Sequence, residues 1–429
     1  MEYQVANGVK LRTIHTTKFK NTKILSNFTF PAHSQNYGKL AMLAELLQNC
    51  SAKYHSELLV SRQLSRMYGA SYGVTVLRYG NQHTLQIKIS FPNDKYLPSK
   101  ERLMTEILEF LEEMIEKPYI SGVGFNQAYF EIHQNNLVNY LNSIADNKEY
   151  YAVLKLQKLY YPNDPDHGNF LLGSGREISE LDSKSLYSFY QQVMKTSAIT
   201  ILVAGEIDDQ EVLRGVEHFR YFVDRPVTKY ELRVMPQPVE SLQSASEKID
   251  GSQSILNVGY ELPVYFGDEE YFPAVIFNQL FGSSTRSLLF TNVREKASLA
   301  YDIHSSYNSL AGIVTVQAGI DYQNEQQVLE LIPAQITKLL HGDYSDQLMD
   351  GVKQSMINQH RSEADHLSAV IEKRYIQQIM NIDYPDTVWE ERINSVTKDD
   401  IKKIAAKVKL RAIFALNSQG ANNENNSLS

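Results

Sequence analysis

The stretch Thr291-Asn-Val-Arg-Glu-Lys-Ala-Ser-Leu-Ala-Tyr301, a helix end followed by the start of a strand, decides how the rest of the chain is interpreted. Arg294 and Tyr301 stand seven positions apart, and a cation and a phenol carried past a helix end can reach one backbone carbonyl. Two such donors can stabilise charge that develops on a carbonyl oxygen. We therefore interpret the pair as a substrate-binding element. The competing interpretation is an ordinary ion pair at Arg294 and an edge strand that begins at Tyr301.

Length and composition indicate a soluble protein of two domains. At 429 residues the chain exceeds the roughly 250–300 residues at which one core usually stops growing, and no apolar run approaches the roughly 18 residues of a membrane span. A net charge of −8 with scattered Lys and Arg argues against a nucleic-acid partner and favours a peptide or protein. The single Cys50 and an N-terminal segment unlike a secretory signal predict a cytoplasmic location.

Hydrophobic periodicity predicts strands first and helices afterwards, which is the order of an α+β fold. A Gly80-Asn81 turn joins two alternating strands, because both residue types tolerate positive φ. The predicted strands cover residues 11–16, 23–30, 71–79, 82–91 and 198–204, and the predicted helices cover 38–48, 56–68, 100–115, 183–194 and a long pair over 125–161.

The sequence repeats at a spacing of 229 positions, which predicts an internal duplication. The strand at 83–91 then lies over 312–320, and the long helices at 125–161 correspond to others at 345–380. Each copy is predicted to be a domain. The predicted N-terminal domain covers 1–225, a Pro-containing linker 226–246, the C-terminal domain 247–418 and a disordered Asn- and Ser-rich tail 419–429.

Several motifs resemble the insulinase/pitrilysin-type zinc metallopeptidases, the family that includes the mitochondrial processing peptidase. Phe281-Gly-Ser-Ser-Thr-Arg-Ser-Leu-Leu-Phe290 followed by Val293-Arg-Glu-Lys-Ala-Ser-Leu-Ala-Tyr301 is similar to the signature of the family's C-terminal half. Gly173-Ser-Gly-Arg-Glu-Ile178 and Ala204-Gly-Glu-Ile-Asp208 fit its N-terminal half. The resemblance implies two duplicated domains, each an antiparallel-rich sheet flanked by helices.

The family's zinc helix carries His-x-x-Glu-His, and the matching helix here has lost all three residues. In Gly38-Lys-Leu-Ala-Met-Leu-Ala-Glu-Leu-Leu47, Ala41 stands at the first His, Ala44 at the catalytic Glu and Glu45 at the second His. Moving the frame so that Glu45 takes the catalytic position supplies no imidazole either. Zinc in catalytic sites usually takes three protein ligands, so we expect no metal in this chain.

The family's third ligand, a Glu on a later helix, is also missing. Neutral Gln134 and Asn135 stand where that carboxylate would lie. Glu131 is the alternative candidate for this ligand if the alignment shifts. His133 and the other histidines are isolated in the sequence, and lone histidines are more often hydrogen-bonded residues than ligands.

The resemblance implies a non-catalytic subunit of a heterodimeric peptidase, as in the zinc-less members of bacterial pairs. A paralogous partner subunit would carry the zinc, and Arg294 and Tyr301 would bind the peptide substrate in the site that the partner completes. This chain would be inactive alone and could form a homodimer in isolation. Two alternatives stay open: a purely structural or peptide-binding protein of the same fold, and a homodimeric enzyme with an unrecognised metal site.

Overall fold

A computed structural model describes residues 1–97, 102–227 and 231–418. The predicted tail at 419–429 lies outside the described residues, as do the first two residues of the helix predicted at 100–115 and part of the predicted linker. Among the described residues, no helix is both long enough and apolar enough to cross a bilayer.

Strands form in both halves of the chain. They are β1 (Glu2–Ala6), β2 (Val9–His15), β3 (Asn21–Pro31), β4 (Ser71–Tyr79), β5 (Gln82–Pro92), β6 (Ile120–Ser121), β7 (Gly124–Phe125), β8 (Ala198–Gly205), β9 (Gln243–Ile249), β10 (Ser254–Glu261), β11 (Ala300–Asn308), β12 (Ile313–Ile320) and β13 (Lys409–Ser418).

Helices alternate with groups of strands in each half. They are α1 (Tyr37–Asn49), α2 (Glu57–Arg66), α3 (Leu103–Glu116), α4 (Gln127–Ser143), α5 (Lys148–Tyr160), α6 (Pro165–Gly168), α7 (Gly175–Ser179), α8 (Ser183–Thr196), α9 (Asp209–Glu217), α10 (Tyr271–Asn278), α11 (Glu325–His341), α12 (Asp346–Glu363), α13 (Leu367–Met380), α14 (Asp386–Ser395) and α15 (Lys398–Ala405).

Two sheets share one topology, which confirms the predicted α+β fold with a duplicated, antiparallel-rich sheet. The first sheet has the order β1-β2-β8-β3-β5-β4 and the second the order β11-β12-β10-β13-β9. Counted from the edges β4 and β11, each sheet has three antiparallel pairings followed by one parallel pairing. The first sheet differs only by the additional strand β1, and its edge strand β4 begins 229 residues before β11.

The compact units of the structure are not two consecutive halves of the chain. Among the described residues, the first unit falls within 1–143, 170–232 and 362–379, and the second within 144–169, 233–361 and 380–418. Helix α5 therefore packs on the second sheet, against β10 and β13, whereas α13 packs on the first. The boundaries proposed from the sequence for the two repeats and their linker stay a prediction.

The first unit places α1 beside the edge strand β4. Its sheet is held in register by the Gly80-Asn81 turn, where Gly80 has a φ of +59° and a Cβ atom would lie 1.8 Å from the carbonyl oxygen of Leu232. Only glycine fits a position that combines this backbone angle with such a close approach. Helix α1 is buried along most of its length and packs against β4 and α4.

The second unit has one large apolar core between its sheet and its helices. Val258 and Val316 from the sheet meet Ile332 of α11 and Ile404 of α15 in this core. Helix α15 begins with a capping box, in which Thr397 and Asp400 satisfy each other's backbone N–H groups. This packing supports the edge strand β11 and the segment that precedes it.

Candidate functional site

Arg294 lies on a π-helical segment, Phe290–Lys296, immediately before β11. Val293 is fully buried and anchors the segment, which turns the neighbouring Arg294 towards solvent. The guanidinium carbon of Arg294 lies 4.6 Å from the ring centroid of Phe290, a cation–π contact that keeps the side chain on this surface. In the described part of the chain Arg294 forms no ion pair. Its charge is therefore available to a ligand.

Tyr301 lies at a β-bulge in the edge strand β11. Ala300 pairs with Ile320 and Asp302 with Gly319, so Tyr301 is the extra residue between them. Bulges re-aim a side chain relative to the regular alternation of a strand, and the ring of Tyr301 is 57% exposed.

The phenol of Tyr301 has a carboxylate neighbour. Its hydroxyl donates a hydrogen bond of 2.8 Å to Oδ1 of Asp321. This hydrogen bond, together with the negative charge of Asp321, raises the pKa of Tyr301 above its ordinary value. The phenol therefore stays protonated at neutral pH and keeps the lone pairs of its oxygen as acceptor sites.

Arg294 and Tyr301 flank a single closed turn. The N–H of Ala297 donates to the carbonyl of Asn292 at 3.2 Å, and the N–H of Leu299 donates to that of Val293 at 3.1 Å. Ser298, between them, has a φ of +55°, which lets the chain reverse into β11. The turn therefore presents a cation and a phenol on one exposed element.

Helix α1, which matches the family's zinc helix, is buried by apolar packing. Ala41 and Ala44 are 5% and 7% exposed, so no side-chain donor atom replaces the missing ligands. Glu45 keeps a polar atom, and its carboxylate Oε1 lies 2.8 Å from Nδ1 of His133 on α4. Asn49 Nδ2 donates a second hydrogen bond of 3.0 Å to the same oxygen.

His133 is the residue of this region that sequence reasoning did not connect to α1. It is 1% exposed, its ring centroid lies 4.4 Å from that of Tyr129, and its Nε2 lies 3.8 Å from Oε1 of Glu57. Tyr129 in turn donates a hydrogen bond of 3.0 Å to the carbonyl of Asn49. The pair Glu45–His133 thus joins α1 to α4, but no spacing rule links two residues 88 positions apart on different helices.

The residues at the predicted third-ligand position do not face a metal either. Gln134 donates through Nε2 to the carbonyls of Ile178 and Leu181, at 2.7 and 3.0 Å. Glu131 is exposed and accepts a hydrogen bond from Gln127. Across residues 1–97, 102–227 and 231–418, no group of three or more His, Cys, Asp or Glu side chains could hold a metal ion. The donor set does not fit zinc.

The chain is similar to known proteins over nearly its whole length. A family model described as a peptidase M16 inactive domain matches residues 180–356. The chain is 27% identical over 409 residues to a probable inactive metalloprotease, YmfF, of Bacillus subtilis strain 168, a match that covers 95% of this chain and 96% of that relative.

Solved structures show the same fold. A crystal structure of a conserved protein from Enterococcus faecalis V583 is 32% identical, has a TM-score of 0.93 and is matched over 98% of both chains. A peptidase M16 inactive domain from Pseudomonas fluorescens has a TM-score of 0.77 at 15% identity, over 97% of this chain and 98% of that one.

Proposed function

The chain belongs to the M16 family, the insulinase/pitrilysin-type metallopeptidases, and on that premise we propose that it is the non-catalytic subunit of a heterodimeric zinc peptidase. A paralogous subunit with an intact His-x-x-Glu-His helix would supply the zinc. This chain would bind the peptide substrate through Arg294 and Tyr301. The two subunits would act together in the cytoplasm.

One observation supports this division of labour above the others: the zinc-helix positions are buried or half-buried, whereas the proposed substrate-binding residues are exposed. The zinc-helix positions Ala41 and Ala44 are buried, and Glu45 is tied to His133. Arg294 and Tyr301, in contrast, stay exposed on a shaped turn. The cation of the Phe290–Lys296 segment and the phenol on the bulged strand β11 are both exposed, so a peptide could reach them.

The chemistry of the pair suits a peptide carbonyl. A planar guanidinium and a phenol are donors that can contact a carbonyl oxygen or the oxyanion formed during attack. A carbonyl that accepts from Arg294, and from Tyr301 once its hydroxyl has exchanged Asp321 for the substrate, would be polarised while the partner subunit provides the attacking water. Neither donor needs to change its protonation state during the reaction.

The test is a reconstitution of both subunits with matched variants of this chain. The purified chain alone should cleave no unstructured peptide, and addition of the zinc-bearing paralogue should produce cleavage. Mass spectrometry of the fragments measures both outcomes. Arg294→Ala should lower turnover by about 10²-fold, the usual effect of losing one such donor. Lys296→Ala is the matched control, since Lys296 is an exposed cation of the same segment.

Each outcome separates the proposal from the structural alternative. Normal assembly with low turnover of Arg294→Ala, and unchanged turnover of Lys296→Ala, would support a substrate-binding role. Equal turnover of the unmodified chain and Arg294→Ala would favour a purely structural or peptide-binding protein of the same fold.

A further inference from the structure

A cavity of about 630 Å³ lies in the first unit, and none of the zinc-helix positions lines it. The first turn of α13 lines it, together with residues of β3 and β5. Small-molecule sites usually occupy about 300–1,000 Å³. Its wall combines apolar and polar side chains, among them Phe19, Lys23, Ser90, Leu367, Ser368 and Ala369.

A lysine and a serine meet inside this cavity. Lys23 Nζ donates a hydrogen bond of 2.6 Å to Oγ of Ser368. Lys23 is 7% exposed, whereas Ser368 is exposed and accessible from the cavity. Within the described ranges no carboxylate lies close enough to Lys23 Nζ to form an ion pair. A buried amine that makes no direct ion pair and lies next to an accessible hydroxyl is an arrangement that suits a base and its nucleophile.

Burial, rather than the surrounding charges, favours the neutral form of Lys23. Burial, which removes water from the ammonium, lowers the pKa of Lys23, the charge of Glu372 on α13 opposes the shift, and that of Lys88 on β5 adds to it. Lys20, Asp365 and His366 also line the cavity.

Ser368 lies at the start of α13, where backbone N–H groups have no acceptor within the helix. It is the second residue of α13, which begins at Leu367. The N–H of Val370 donates to the carbonyl of His366 at 3.1 Å, so the earlier N–H groups, including those of Ser368 and Ala369, have no acceptor within the helix. Such donors at a helix start attract negative charge, and an oxyanion next to Ser368 would form beside them.

We propose that Lys23 and Ser368 form an acyl-transfer site that accepts small carboxylic esters. The neutral amine of Lys23 takes the hydroxyl proton while Oγ of Ser368 bonds to the ester carbonyl carbon. The bond from that carbon to the alcohol oxygen then breaks, and the leaving alkoxide receives the proton from Lys23. Water, deprotonated in the same way, hydrolyses the acyl-serine to a carboxylic acid and regenerates the hydroxyl. The apolar side chains of Phe19, Leu367 and Ala369 would contact the acyl chain.

The experiment uses the full chain and p-nitrophenyl acetate. We expect release of p-nitrophenol, one acetyl group added to the intact mass, and peptide mapping that places it on Ser368. Ser368→Ala should remove the labelled peptide, and Lys23→Met should slow acetylation by about 10²-fold, the range of a lost general base. Ser362→Ala, at an exposed serine on α12, is the matched control. In this variant Ser368 should be acetylated at the same rate as in the unmodified protein.

A pH profile distinguishes this chemistry from a purely structural Lys23–Ser368 hydrogen bond. The acetylation rate should rise as Lys23 loses its proton, with a midpoint below the ordinary lysine value of 10.5. Circular dichroism spectra identical to those of the unmodified protein show that the variants are folded. Acetylation that persists in Ser368→Ala, that is unaffected by Lys23→Met in a folded protein, or that does not occur at Ser368 at any pH would overturn the proposal.

Discussion

Tyr72 and Tyr301 occupy the second position of the edge strands in the two repeated sheets, and they point to opposite environments. Tyr72 of β4 pairs in regular register with Ile89 of β5. Its hydroxyl donates a hydrogen bond of 3.0 Å to the carbonyl of Leu47 near the end of α1. Tyr301 of β11 lies in the bulge and faces solvent. One extra residue in the strand thus separates a packing tyrosine from an exposed one.

The two repeats therefore differ in whether their edge strand exposes side chains that can bind a ligand. In the first unit the edge strand and α1 are bonded to each other, and burial raises the pKa of Tyr72, which keeps it a neutral packing residue. In the second unit the corresponding edge leaves a phenol and a nearby cation open to a ligand. The duplication therefore produced one sealed copy and one copy with exposed donors.

The largest expected effect comes from truncating the two tyrosines in parallel. Tyr72→Ala removes a ring that packs edge-on against Phe110 at 5.2 Å between centroids, and it should lower the free energy of unfolding by about 3 kcal/mol. Tyr301→Ala should change it by less than about 0.5 kcal/mol, since its ring is exposed. Urea denaturation followed by circular dichroism measures both values. Equal losses would show that Tyr301 is also a packing residue and would remove the contrast.

The sequence predicted what depends on local periodicity. It placed β4 at the bounds that the structure has, and it identified the repeat because alternation and turn residues recur at a fixed spacing. The strand β1 was not predicted, because its alternation of Tyr3 and Val5 with polar residues extends over only five positions. The chemistry of the Arg294 segment could also be named in advance, because residue type alone fixes charge and donor capacity.

Features that depend on pairing between distant elements could not be predicted. The bulge at Tyr301 is set by the register between β11 and β12, and no pattern within β11 marks it. The packing of α5 on the second sheet and α13 on the first requires the chain to cross between units. For the same reason Lys23 and Ser368, 345 positions apart, have no common motif in the sequence.

A second prediction concerns the closed site of the first unit. His133→Ala should lower the free energy of unfolding by about 2 kcal/mol, because it opens a buried position and leaves the Glu45 carboxylate with fewer partners. His304→Ala, which removes an exposed histidine paired with Asp302 on β11, is the control and should cost less than about 0.5 kcal/mol. A loss as small as the control's would mean that the hydrogen bond between Glu45 and His133 does not hold α1 to α4.

The smallest expected effect tests the turns that lead into the two edge strands. Gly69 and Ser298 are 229 positions apart and have φ angles of +73° and +55°, so both copies use a left-handed residue at the same place. No atom lies within 4 Å of a Cβ added at Gly69, so Gly69→Ser should cost only the backbone strain, about 1 kcal/mol. Ser298→Gly should stabilise by at most about 0.5 kcal/mol, since relief of strain is offset by the greater freedom of glycine in the unfolded chain.

Thermal unfolding of the two variants and of the unmodified chain, at one protein concentration, measures both signs. Stability changes of opposite sign would show that both repeats use the left-handed residue for its backbone conformation. The contrast between Tyr72 and Tyr301 would then begin at the bulge that follows the turn. A loss of stability in both variants would instead assign a contact to the Ser298 hydroxyl, and the two copies would then already differ before the edge strand begins.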